Sequence, residues 1–81
     1  MENRILVENT EVDDEQFGNQ IAEIRENEAK LTQKQLADKA GVTERTIQKI
    51  EAGVRVKLET AKAVANALGY EATILYYLRK K

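Results

Sequence analysis

The chain has 81 residues, of which 33% are charged, with no cysteine, no histidine and a formal net charge of -1. Such a chain makes one small domain near the lower limit for a self-sufficient core, and it excludes disulfides, thiolate or imidazole metal sites and histidine-based acid–base catalysis. No apolar run approaches the ~20 residues of a membrane span and the N-terminus lacks a signal-peptide pattern, so a cytoplasmic protein without membrane, metal or cofactor is expected.

Residues 1–14 open with the apolar run Ile5-Leu6-Val7 and then turn acidic, which predicts a loose segment or a short strand. A first helix is expected from Glu15 to Ala29, because Phe17, Ile21 and Ile24 recur at helical spacing and Asp13, Asp14 and Glu15 fall at its positive end. A second begins at Thr32, where Gln35 three residues on completes a capping-box pattern. Leu36, Ala37 and Ala40 form its apolar stripe, and Gly41 suits the left-handed turn that ends it. A third follows at once, with Thr43 as its cap, Ile47 and Ile50 turned to the core and Gly53 closing it. The fourth is expected over Leu58 to Leu68, with Leu58, Ala61, Val64, Ala65 and Leu68 on one face. Its start is weakly marked, since Val56 and Lys57 are poor caps.

The tail "YEATILYYLRKK" fits two patterns. Alternation places Ala72, Ile74, Tyr76 and Leu78 on one side of a strand, whereas Glu71, Ile74, Leu75 and Leu78 fit a helix. The adjacent tyrosines and the preceding glycine favour the strand. The expected organisation is therefore an acidic segment at 1–14, a helical domain at 15–69 and a strand or helix at 70–81.

The near-zero total charge hides a division. Residues 1–31 hold nine acids against three bases, a net of -6, while residues 32–81 hold ten bases against five acids, a net of +5. A basic surface can coexist with an acidic whole. Two short helices joined by a glycine turn also match the arrangement that lays its second helix in the DNA major groove. With Ile47 and Ile50 inward, Glu44, Arg45, Gln48 and Lys49 face outward as two i, i+4 pairs. Arg45 and Lys49 suit guanine O6 and N7, Thr43 suits a thymine methyl or a phosphate, and Glu44 suits cytosine N4 or the orienting of Arg45. Gln33 and Lys34 at the start of the second helix, Thr46 at the groove edge, and Arg55 and Lys57 in the following loop are candidate phosphate contacts. An ordinary solvated face has the same composition, so order and context must carry the reading.

"LTQKQLADKAGVTERTIQKIEAG" and "LETAKAVANALG", within Ile21 to Leu68, resemble the phage repressor and Cro-type helix-turn-helix family, the XRE family. The resemblance implies an all-α, lambda-repressor-like fold of four to five helices, which in some members carries a short C-terminal dimerising strand. It implies a non-enzymatic, DNA-binding transcriptional regulator, in most members dimeric, and antitoxins that repress their own operons belong to the same family. It makes Gln33 a positioning contact, makes Thr43, Glu44, Arg45 and Lys49 the base-reading set, and pairs Glu51 with Arg25. The family pattern has glycine before the leucine of "LTQ", whereas this chain reads "RENEAKLTQ", one residue longer, which disturbs the join carrying that pair.

Apolar residues on both faces of the tail strand expose an edge that a second copy would cover, so Ile74, Tyr76 and Leu78 are candidate dimerisation residues, with core packing in one chain as the alternative. A homodimer reading a DNA palindrome through the helices at 43–52 is the leading expectation. A toxin-neutralising interaction module, drawing on the acidic first segment, is the second.

Overall fold

The computed structural model describes residues 14–72 and 78–80. Residues 5–7 and the acidic positions up to 13, read above as a loose segment or short strand, lie outside the described residues, as do the dimerisation candidates Ile74 and Tyr76.

Among the described residues the chain forms α1 (Asp14–Glu23), a π-helical segment (Ile24–Ala29), α2 (Gln33–Ala40), α3 (Glu44–Glu51), α4 (Leu58–Ala67), β1 (Tyr70–Ala72) and β2 (Leu78–Lys80). The all-α, helix-turn-helix expectation is met. α1 buries Phe17 and Ile21, α2 buries Leu36 and Ala37, α3 buries Ile47 and Ile50, and α4 buries Ala61, Val64 and Ala65. These side chains form one cluster with Ile24, Tyr70 and Ala72. α3 lies between α1 and α2, and α4 packs on α2 and on β1. Covering each of the larger aliphatic side chains is worth roughly 1.5–3 kcal/mol, so this cluster supplies most of the drive to fold.

The close approach of α1 to α3 depends on Gly18. A Cβ there would collide with the Ile50 carbonyl oxygen. A glycine in mid-helix costs about 1 kcal/mol of helix propensity, and the packing of α1 on α3 offsets it.

The longer join after α1 is resolved by a change of helical winding. Lys30 N–H donates to the carbonyl of Arg25, an i to i+5 bond, and Leu31 N–H reaches the same oxygen at 3.0 Å. The wider π turn takes up an extra residue while Ile24 and Arg25 stay buried. Lys30 ends the segment in the left-handed region at φ 57°. The expected single helix to Ala29 is thus two windings in sequence.

The helix-turn-helix itself follows the expected signals. Thr32 accepts from Gln35 N–H while the Gln35 side chain accepts from Thr32 N–H, which closes the capping box. Gly41, at φ 77°, donates to the Ala37 carbonyl and turns the chain towards α3. Lys57, the residue at the N-cap of α4, makes no side-chain cap bond. Leu58, expected on the apolar face, is 43% exposed instead. It is the first residue of α4, and the buried positions of that helix are Ala61, Val64 and Ala65.

The tail differs from a single strand. β1 pairs antiparallel with β2, with Tyr70 opposite Lys80, Glu71 opposite Arg79 and Ala72 opposite Leu78. One backbone edge of Leu78 is therefore taken up within the chain. Alternation continues across residues 70–80 with no glycine, proline or asparagine in 73–77 to announce a reversal, which is why the pattern reads as one strand.

Candidate nucleic-acid interface

α3 is aimed by its ends and by its buried side. Thr43 Oγ1 accepts from Thr46 N–H at 3.1 Å and shares a hydrogen with Thr46 Oγ1 at 3.0 Å. Ile47 and Ile50 are fully buried. With that side fixed, Glu44, Arg45, Gln48 and Lys49 are all exposed. Among the described residues no hydrogen bond or ion pair joins Glu44 to Arg45, so their side chains remain available to a ligand. Thr43 is exposed and Thr46 half-buried, with both hydroxyls engaged in the cap.

The base of α3 is locked to the two preceding elements through Glu51. Arg25 donates from Nε to Glu51 Oε2 at 2.7 Å and from Nη2 to Oε1 at 3.1 Å, a two-point contact. Its Nη1 donates to the Leu31 carbonyl at 2.9 Å and Nη2 also reaches Glu26. Both partners of the Arg25–Glu51 pair are only 10% exposed. The hydrogen bond to Glu51 raises the Arg25 pKa above its ordinary value in spite of burial. The π winding thus delivers Arg25 to Glu51 despite the longer join.

Gln33 completes this network: its Nε2 donates to Glu51 Oε1 at 2.9 Å. The side chain expected to meet phosphate is half-buried and held by the ion pair, which leaves its carbonyl oxygen and the backbone at the start of α2 as the groups to face a ligand. Lys34 is exposed, 3.7 Å from Asp38 one turn on.

Beside α3, Thr46, Lys49, Val54, Arg55, Val56, Lys57 and Thr60 line an open concavity of ≈ 580 Å³. Lys49, Arg55 and Lys57 bring three cations to it, and Thr46 and Thr60 bring hydroxyls. Such a set suits an anionic backbone, with ammonium and guanidinium groups supplying charge and hydroxyls supplying short hydrogen bonds. Arg55 Nε also lies 3.2 Å from Asp14 Oδ2, at the start of α1.

Sequence reasoning missed Thr60 and Asp14 here. Thr60 carries no local signal, since only the path of the loop at 53–57 brings α4's first turn alongside α3. Asp14 had a complete explanation as a helix-terminal carboxylate. A third unpredicted contact, Tyr70 Oη donating to Glu28 Oε1 at 2.8 Å, ties β1 to the π segment. Burial, then the bond to Glu28, pushes the Tyr70 phenol up to about 12. Of the dimerisation candidates, Leu78 lies in β2.

Comparison with known proteins agrees with this geometry. A family model described as helix-turn-helix matches residues 21–75. The fold is similar to the crystal structure of the clp gene regulator ClgR from Corynebacterium glutamicum, with a TM-score of 0.63 and 26% identity over 69% of this chain and 60% of that one. It is also similar to ComR from Streptococcus suis, with a TM-score of 0.63 and 28% identity over 72% of this chain and 19% of that one. The chain therefore spans less than two thirds of either structure. No curated protein sequence matches it significantly. The match over residues 21–75, carrying both helices of the motif and the turn between them, shows that the chain belongs to the helix-turn-helix family of the Cro/C1 (XRE) type.

Proposed function

We propose that the chain binds double-stranded DNA in a sequence-dependent way as a transcriptional regulator, with α3 in the major groove. The observation that carries this is the exposed row Glu44, Arg45, Gln48 and Lys49, held at a fixed angle by Ile47 and Ile50 next to the concavity of Lys49, Arg55 and Lys57. Arg45 and Lys49 read base edges, Gln48 and Glu44 complete the reading surface, and Thr43 stands at the groove rim. Gln33, Lys34, Thr46, Arg55 and Lys57 meet the backbone. Binding fixes the register through phosphates and discriminates through the α3 side chains.

The working form is a homodimer that acts as a repressor on a palindrome. A two-stranded sheet is marginal on its own, which favours further pairing at the tail. Two copies related by a two-fold axis would set their α3 helices in successive grooves, roughly 34–36 Å apart. A second reading, a toxin-neutralising module, draws on the -6 imbalance of residues 1–31. The test is duplex selection from a random library followed by titration at fixed salt. A selected palindrome bound more tightly than its scrambled version supports the reading, and equal affinity for both sinks it. Arg45→Ala should then cost about 1–3 kcal/mol at one base pair, while Lys57→Ala weakens all sequences alike.

A further inference from the structure

We propose that Asp14 is a positioning residue that holds Arg55 back from DNA phosphate and so sets the strength of backbone binding; this rests on the DNA-binding reading above. The carboxylate stands 3.2 Å from Arg55 Nε, across 41 residues of sequence. Its other oxygen, Oδ1, is buried without a hydrogen-bond partner. The carboxylate is 24% exposed against 76% for the arginine, so the acid is the more enclosed member of the pair. The loop that carries Arg55 is fixed against the same turn of α1, since a Cβ on Gly53 would lie 3.4 Å from Glu15 Cα.

Arg55 also lines the concavity with Lys49 and Lys57. A phosphate entering there needs the guanidinium donors, and the Nε–H it would share is directed to Asp14. The phosphate must displace the carboxylate or accept fewer hydrogen bonds, and in either case it meets a nearby negative charge. Because phosphate contacts carry no sequence information, the penalty falls alike on every duplex. Asp14 therefore lowers affinity without altering preference, which distinguishes it from any residue on α3.

The test compares wild type, Asp14→Asn, Arg55→Ala and the double variant for binding to a random-sequence duplex and to a selected one. Asp14→Asn keeps size and helix-capping ability and removes the charge; Asp14→Ser serves as a second variant should the first fold poorly. Loss of a competing exposed ion pair predicts binding about two- to fivefold tighter on both duplexes. The dependence of log affinity on log salt steepens by up to about 0.9, one more phosphate contact. Both effects should largely vanish in the Arg55→Ala background. A purely structural role for Asp14 would change thermal stability without moving the salt slope. Unchanged or weaker binding by Asp14→Asn, or an equal gain in the Arg55→Ala background, overturns this inference alone. Failure of the wild-type chain to bind any duplex overturns the DNA-binding reading and this inference together, while a shift of the Arg55 Nε–Hε resonance on Asp14→Asn would still report the pair in solution.

Discussion

Replacing Glu51 with alanine should destabilise the domain out of proportion to the atoms removed. The deletion leaves the Arg25 guanidinium, 10% exposed, with the Leu31 carbonyl and the exposed Glu26 as its partners among the described residues, and it frees the Gln33 amide. Breaking a buried pair from one side costs about 3–5 kcal/mol, because the remaining charge is neither solvated nor neutralised. An 81-residue domain has a total stability of roughly 4–12 kcal/mol, so the loss is a large share of it. Urea unfolding monitored by circular dichroism should show it, and in thermal unfolding Tm should fall by about 4–8 °C per kcal/mol. The companion variant Arg25→Leu with Glu51→Leu removes both charges and replaces them with apolar volume, so it should recover much of the loss. A Glu51→Ala cost below about 1 kcal/mol would mean that the pair behaves as an exposed one and that Arg25 is not stranded by the loss. A double variant no better than the single would mean the same.

Three further outcomes follow from the packing and the tail. Gly18→Ala should lower stability by about 1–3 kcal/mol in chemical denaturation despite a better helix propensity, because the new Cβ meets the Ile50 carbonyl and α1 must shift. Thr32→Ala should cost about 1 kcal/mol by the same assay and fray the start of α2, since it opens the capping box. The Tyr70 phenol, pushed from 10.0 up to about 12 in the fold, favours the folded state in its neutral form. That stability is fully present below pH about 10, the unfolded value, and is lost as pH rises through about 12, a difference of order 2–3 kcal/mol. Tyr70→Phe should lack that alkaline loss when melting is followed against pH, and a parallel loss in both proteins would contradict the assignment.

The helix-turn-helix was legible because its signals are local. Thr32 with Gln35, Gly41, Thr43, and Ile47 with Ile50 each state a cap, a turn or a buried face within a few residues of the chain. The outward row on α3 followed directly from that burial. What was not legible depends on residues distant in sequence. Gly18 reads as a weak point in a helix until the Ile50 carbonyl is placed beside it. The extra residue in "RENEAKLTQ" signals a disturbed join, and sequence alone does not say that a π turn will absorb it and still bring Arg25 to Glu51. Gln33 reads as an outward amide, yet its side chain is claimed by that same carboxylate. Leu58 obeys the apolar periodicity of α4 and is exposed all the same, because periodicity assigns a face and not the extent of the partner surface. The pairing of β1 with β2 was hidden by an alternation that continues through residues without turn signals.

Base reading by the outward face of α3 is tested by the affinity ratio between a selected duplex and a scrambled one at physiological salt, for the wild type and for the double substitution Arg45→Ala with Lys49→Ala. The expected wild-type ratio is on the order of a thousandfold and collapses in the double variant, while salt-dependent binding to the scrambled duplex persists. A ratio that survives the double substitution, or a wild-type ratio of one, would rule out base reading by α3.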